Sequence, residues 1–485
     1  MVNFGHSSIF IIMKNHFLLI SLFIFVAVIA FANTPFKANK YYVDAVNGND
    51  QNNGLSIHKP WKTLSKVNHS SFSPGDYIFL KRGAVWQESL APKSAGSVKN
   101  PITIADYGSG NLPKIEANGI YKDGILLRNI SNITIKNIEI SNFNKEVAVQ
   151  KNGPTGVRIL AENIGTIYNI KLIALYIHDI NGDNKKGSKE GHGIYWECNG
   201  PKNSNIENLT IEKCRVKKVD RNGIRGNGTF AFRDNWFPNK NLIIRDCYLE
   251  DIGGDGIVVK GFDGALVEHN KLFTMRARAK DNAVGIWPHS SDNTIIQYNE
   301  VAYTKNDDWS NDGQSFDIDG NCINTIIRNN YSHDNDGGFM LVISDAINAK
   351  SKMTKNSIIT NNLSVNDGLK RKRLFNFALT TDSTFISNNV FINNHLSAIE
   401  MELIDVEHSL PKNIVFEANE FYFTGEVTAV FSKTAKQYQT MTWKNNFFSG
   451  KFKNKEALTN NIEATKASTK NTKYYPWKFI KNTKL

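Results

Sequence analysis

Short runs of alternating apolar and polar residues recur along most of the chain, and each run ends on the same kind of residue. Asn241-Leu-Ile-Ile-Arg-Asp-Cys247, Asn293-Thr-Ile-Ile-Gln-Tyr-Asn299, Asn324-Thr-Ile-Ile-Arg-Asn-Asn330, Asn356-Ser-Ile-Ile-Thr-Asn-Asn362, Ser383-Thr-Phe-Ile-Ser-Asn-Asn389 and Asn413-Ile-Val-Phe-Glu-Ala-Asn419 share this pattern. A period of two over so few residues predicts strands with one buried face. Aligned on the closing residue, the runs place Ile138, Leu175, Cys214, Cys247, Asn270, Asn299, Asn330, Asn362, Asn389, Asn419 and Asn446 at one structural position, 23 to 39 residues apart. A self-similar spacing in that range predicts a stack of repeated units sharing one continuous core.

Each repeat carries a second short strand after the closing residue, then a variable loop, then a third strand. The third strands align from Gly156 to Leu160, Gly193 to Glu197, Gly223 to Asn227, Gly256 to Lys260, Gly285 to His289, Ser315 to Asp319, Gly338 to Val342, Leu374 to Ala378 and Ala398 to Glu402. Identical amides at one position of successive coils can donate to one another across the ~4.8 Å strand spacing. In this the chain resembles the right-handed parallel β-helices of pectate lyases and polygalacturonases, over roughly residues 120–450. The resemblance implies an all-β, single-stranded right-handed parallel β-helix of about 11 coils. Cys214 and Cys247 then fill the ladder row as small buried residues in preference to a disulfide. Residues 33–119 read as an N-terminal cap and first coils: strands at Tyr41 to Val43 and Tyr77 to Lys81, a helix from Trp61 to Val67, and a turn at Ser73 to Asp76. Residues 451–485 form a Lys-rich tail or cap with Tyr474, Tyr475, Trp477 and Phe479.

With apolar residues inward, the third strands present two outward rows. One reads Arg158, Tyr195, Arg225, Val258, Trp287, Asp317, Met340, Asn376, Glu400; the other reads Glu197, Asn227, Lys260, His289, Asp319, Val342, Ala378, Glu402. Asp317 should therefore lie beside Trp287, and Asp319 beside His289, with Lys260 one coil further and Arg225 diagonal to it. Residues i and i+2 of a strand are ~6.6 to 7 Å apart at Cα, which suits the paired carboxyls of glycoside hydrolysis. An indole neighbour favours the protonated acid, whereas His and Lys favour the carboxylate. These neighbours predict Asp317 as general acid and Asp319 as base or nucleophile, the two being interchangeable, assisted by His289 and Lys260. The alternative is that both acids merely solvate an exposed strand. Trp287 is a stacking platform for a sugar ring, and Arg225, Glu197, Tyr195, Arg276 and His333 are candidate substrate contacts. His192 in Gly191-His192-Gly193 is similar to the Gly-His-Gly of polygalacturonases, but that family's Asp-Asp pair and Arg-Ile-Lys are missing.

Composition adjusts this picture in two ways. Met13-Lys14-Asn15-His16, the apolar run Phe17 to Ala30 and the small residues to Ala32 read as a signal peptide over residues 1–32, giving a secreted or periplasmic protein with no membrane association after cleavage. The chain holds 58 basic and 46 acidic residues, net +12; for an exported protein this excludes nucleic acid as the natural partner and favours an anionic polysaccharide, bound by a monomer. Basic loops at Met275 to Lys280 and Lys370 to Arg373 beside acidic ones at Asn306 to Asp312 and Ser332 to Asp336 fit that substrate as positive walls. Four cysteines do not make a disulfide framework. No Walker loop, dinucleotide fingerprint or zinc spacing is present, and the hydrolase reading requires no cofactor. Ca²⁺ is an option, either at the Asn47 to Gly54 loop, which also reads as a plain turn cluster, or in a polysaccharide lyase with Asp255, Asn311 and Asp312 as ligands and Lys260 as base. A noncatalytic glycan-binding protein is the third reading.

Overall fold

The computed structural model describes residues 38–143, 153–186, 189–307, 310–344, 354–379, 381–395, 397–432 and 441–453, and the strand Ile462–Ala464. It divides into two compact units, Met1–Asn39 and Lys40–Leu485, and the coils belong to the second. The expected signal peptide, Trp309 and the aromatics of the tail lie outside the described residues.

The chain is a right-handed parallel β-helix. Three ladders of parallel strands run its length. The first, 14 strands, begins with Lys40–Val43, Tyr77–Lys81 and Ile102–Tyr107 and ends at Thr442–Lys444. The second includes Tyr176–Ile180, Glu300–Ala302 and Tyr331–His333. The third includes Thr155–Glu162, His192–Asn199, Ile257–Lys260, Ile286–His289, Gln314–Ile318, Gly338–Ile343 and Arg373–Ala378. The first two strands pair directly with the coils, so the amino-terminal segment begins the stack instead of sitting apart from it. Its helix is Leu64–His69, later than predicted: Thr63 caps it through Lys66 N, while Trp61 bridges to Val43 and stacks on Tyr41.

The amide ladder is continuous. Nδ2 of Asn270, Asn299, Asn330, Asn362, Asn389 and Asn419 each donates to Oδ1 of the next member, ending at Asn446, over 2.9 to 3.0 Å. Each Nδ2 also donates to a backbone carbonyl, as Asn299 does to Val267 O at 3.0 Å. Every amide is buried, so truncating one would strand its neighbours' polar atoms, a cost of about 1 to 3 kcal/mol per group. Before Asn270 the row is apolar, with Ile138, Leu175, Cys214 and Cys247 buried, and all four cysteines are free. A second amide ladder, exposed from Asn208 onward, is one that the alternation does not predict. The residues that open the repeated runs stack there: Asn169 on Asn132, Asn208 on Asn169, Asn241 on Asn208, and Asn324 on Asn293, over 2.8 to 3.0 Å. They sit at φ between 52° and 61°, the left-handed region that asparagine tolerates best among residues with a side chain.

Register along the third ladder agrees with the predicted rows from Arg158 to Asp317 and departs from them afterwards. Phe316 pairs with Met340 and Asp317 with Leu341, so Met340 and Val342 point inward while Leu341 and Ile343 continue the outward rows. Further on, Asn376 pairs with Asp405 and Ala378 with Glu407; these carboxylates, in place of Glu400 and Glu402, end the rows. The extra residue is absorbed at Gly337–Gly338, where Gly338 has φ 126°. Phe339-Met-Leu-Val342 is apolar on both faces, and such a run carries no alternation to fix register.

Candidate active site

The outward face of the third ladder is roofed, not open. Arg158, Tyr195, Trp287 and Asp317 are 1, 4, 5 and 3% exposed, because the loops feeding this sheet fold back over it. Lys186 N donates to Asp281 Oδ2 at 2.6 Å, and the buried Arg221 donates to Asp281 Oδ1 at 2.8 Å. Across the sheet's other edge the hairpin Ala231–Phe232 and Asn235–Trp236 is pinned by Arg233, which donates to Asp292 and to Asn321 Oδ1 at 2.7 Å.

Three carboxyls gather between these walls. Asp317 lies in the fully buried strand Gln314–Ile318, with its Oδ1 lacking a hydrogen-bond partner among the described residues. Asp319, just past the strand, is partly exposed and accepts from Gly320 N at 2.5 Å. Asp312 ends the loop that enters the strand and is buried. Beside them Asp255 accepts from Val284 N at 3.0 Å and from the indole of Trp287 at 2.9 Å. Burial, with Asp319 and Asp312 as like-charged neighbours, raises the Asp317 carboxyl well above the usual carboxylate range. Burial likewise pushes Asp312 up to about 7, opposed by Lys186 and reinforced by Asp255 and Asp319. For Asp319 burial again dominates and raises the pKa, against the Gly320 N–H, Lys186 and Lys260. The expectation that His289 and Lys260 hold Asp319 ionised meets an opposing effect here, since burial outweighs its cationic neighbours. Lys260 is pulled down to about 8 by burial and by Arg225, with Asp319 opposing.

On the carboxy-terminal side of Asp317 the roof parts over a cavity of about 410 Å³, lined by Asp312, Leu341, Ile343, Asn376, Ala378 and Glu407, among others. Its floor is the apolar continuation of the outward rows, and Asp312 stands at its edge.

Of the predicted site residues, register brings Asp317, Asp319, Trp287, His289, Lys260 and Arg225 onto neighbouring coils. Trp287 does not offer a stacking face: its ring packs against Val258 and Val284, and its N–H holds Asp255. His289 bonds Ser290 Oγ at 2.9 Å. Arg225 is partly exposed, and its Nε has no hydrogen-bond partner among the described residues. The remaining four are corrected as free substrate contacts. Glu197 is buried against Arg158, at 3.4 Å, and Lys189, and Tyr195 lies between His192, at 4.8 Å, and the Arg158 guanidinium, at 5.1 Å. Arg276 is buried and spends its nitrogens on Asp281 O, Lys305 O and Asp307 Oδ1. His333 belongs to the second ladder, stacked on Tyr331 and bonded to Asp334 Oδ2 at 2.8 Å.

Sequence reasoning gave Asp312 no role in hydrolysis. An available signal was its place in Asp312-Gly313, directly before a third-ladder strand, which Asp255-Gly256 repeats two coils earlier. No three His, Cys, Asp or Glu side chains converge as metal ligands among the described residues. In the Asn47 to Gly54 loop the carboxylate of Asp50 is filled by Lys62 N, Thr63 N and Thr63 Oγ1 at 2.8 to 3.0 Å, as in a plain turn.

A family model described as a right handed beta helix region matches residues 102–301. A lacto-N-biosidase of Bifidobacterium longum subsp. longum is 27% identical, over 64% of this chain and 25% of its own length. The native crystal structure of a GH136 lacto-N-biosidase from Eubacterium ramulus superposes with a TM-score of 0.63 at 26% identity, covering 79% of this chain and 68% of that one. The chain is similar to lacto-N-biosidases. It spans about a quarter of the length of the curated relative.

The raised pKa of Asp317 has a consequence for stability. A carboxyl that binds its proton more tightly folded than unfolded weakens the fold as pH climbs past its unfolded value of 3.8 and the unfolded chain gives up its proton. Asp317→Asn, which keeps the neutral form, is expected to raise the melting temperature by roughly 1 to 4 °C at pH 7 and to leave it unchanged near pH 4. Thermal unfolding of both proteins at the two pH values checks this.

Proposed function

We propose that the protein is a glycoside hydrolase that cleaves an uncharged oligosaccharide beneath the roof of the third ladder. Asp312 acts as general acid and Asp319 as nucleophile or base. The observation that carries this reading is the gathering of Asp312, Asp317 and Asp319 in three different environments, with Asp312 at the edge of a cavity of about 410 Å³. A general acid works best with a pKa near the working pH, and Asp312, pushed up to about 7, has it. Asp317, raised well above the carboxylate range, keeps its proton and serves as a fixed hydrogen-bond donor. Asp319 is the least buried of the three and has Lys260 and the Gly320 N–H to favour its ionised form once substrate arrives.

The likeness to lacto-N-biosidases supports the reaction class and makes a lacto-N-bioside the first substrate to try. An uncharged glycan fits better than the anionic one expected from composition, because the arginines of the basic walls are engaged: Arg276, Arg278, Arg371 and Arg373 all donate to protein carbonyls or carboxylates. The same reading has the chain exported as a monomer, which sequencing the amino terminus of the secreted protein and light scattering would check.

Release of p-nitrophenol from p-nitrophenyl lacto-N-bioside, and of reducing ends from oligosaccharides, is the expected result. An ultraviolet-absorbing unsaturated product would replace this reading with a lyase using Lys260 as base. Retardation on a glycan affinity gel with no turnover on any glycoside would leave a binding protein.

A further inference from the structure

The loop that carries Asp312 is held by an unusual set of donors. Four of its backbone carbonyls accept hydrogen bonds from one short basic run. Lys370 Nζ donates to Asn306 O at 2.8 Å, Arg371 Nη2 to Asp307 O at 3.0 Å and also to Ser310 O, and Arg373 Nη2 to Asn311 O. The run is itself fixed to the preceding coil, since Lys370 N and Arg371 N both donate to Asp336 O at 3.0 Å. Arg373, only 4% exposed, uses its Nη1 on Glu407 Oε1 at 3.0 Å and on Asp405. Glu407 closes the circuit by accepting from Asn311 Nδ2 at 3.1 Å. From within the loop, Asn306 Nδ2 donates to Ser310 O at 3.0 Å and to Asp312 O.

Guanidinium and ammonium groups directed at carbonyls do work here that the loop's own backbone does not, since its described residues belong to no strand or helix. Regular coils position their side chains through ladder hydrogen bonds; the described part of this loop lies outside the ladders, yet it places a carboxyl at the edge of the cavity. We propose that Arg371, Arg373 and Glu407 form a clamp that positions Asp312, with Arg373 as its central positioning residue. The proposal rests on the reading of Asp312 as the general acid. It reassigns a basic run, expected to attract substrate, to holding the proton donor at the reacting bond. Arginine suits this better than lysine because one planar guanidinium reaches Asn311 O and two carboxylates at once.

The test compares Asp312→Asn, Arg373→Gln, Arg373→Lys and Arg371→Gln with the unaltered protein on the same natural oligosaccharide, whose leaving group needs a proton, recording kcat, KM, the pH–rate profile and thermal unfolding. Misplacing a catalytic group by about 1 Å costs roughly 100-fold. Arg373→Gln is expected to lower kcat by roughly 10- to 100-fold with KM little changed, and Arg373→Lys to recover part of the loss. The alkaline limb should move to lower pH as water reaches the loosened carboxyl. If Arg373→Gln does not fold, Arg371→Gln, which frees the same loop from two carbonyls, is expected to show the same limb shift. If Asp312→Asn is inactive while the arginine variants keep the profile and kcat of the unaltered protein, or lose only melting temperature, the clamp is structural and the inference falls alone. Full activity in Asp312→Asn would remove the reading beneath it as well.

Discussion

Asp312→Asn is expected to lower kcat/KM by roughly 10²- to 10⁴-fold, the usual contribution of a general acid, with no loss of thermal stability. The amide has the shape and hydrogen-bonding reach of the protonated acid but no proton to give. Burial is the main reason this carboxyl holds its proton to about 7, so the amide should be accepted in place. The loss should depend on the leaving group. A glycoside with an acidic phenol departs without protonation and should be hydrolysed by the variant far better than a natural oligosaccharide. The unaltered protein should show an activity limb falling above pH 7, absent from the residual activity of the variant. An unchanged rate on both substrates, or a limb that survives the substitution, would transfer the role to another group, Asp317 first.

The fold was legible because its main determinant is a side chain. A buried amide in register with identical amides above and below can satisfy itself only if the coils stack, so Asn270 to Asn446 state the architecture directly. The surface ladder was present in the same repeated runs, but an exposed asparagine reads equally well as a turn residue until its φ of about 56° is known. Alternation placed Asp317 and Asp319 on the outward face with Trp287 and His289 beside them. It failed from Phe339 to Val342, where both faces are apolar. The rest of the site depends on the roof, which no period of two encodes. Whether Trp287 is a platform or a strut, and whether Arg276 meets a ligand or Lys305 O, is decided by loops whose lengths differ from coil to coil. The charge of Lys370 to Arg373 was visible, but its acceptors are backbone carbonyls, which every residue has and no composition reveals.

Asp319 is expected to be as unforgiving as Asp312 and more informative about stereochemistry. Asp319→Gly should lose at least roughly 10³-fold in kcat, since neither water nor Asp317, which keeps its proton, can supply the displaced negative charge. Its removal leaves a gap beside the Gly320 N–H and within the field of Lys260, both of which favour an anion there. Added azide should enter that gap and restore turnover on an activated glycoside, forming a glycosyl azide. If Asp319 is the nucleophile of a retaining enzyme, the azide product will have the anomeric configuration opposite to the sugar released by the unaltered protein. If Asp319 is the base of an inverting enzyme, the two configurations will agree, because azide then follows the path of the activated water. Nuclear magnetic resonance of the two products distinguishes the cases. Full activity in Asp319→Gly without azide would place the second carboxylate elsewhere, with Glu407 across the cavity the next candidate.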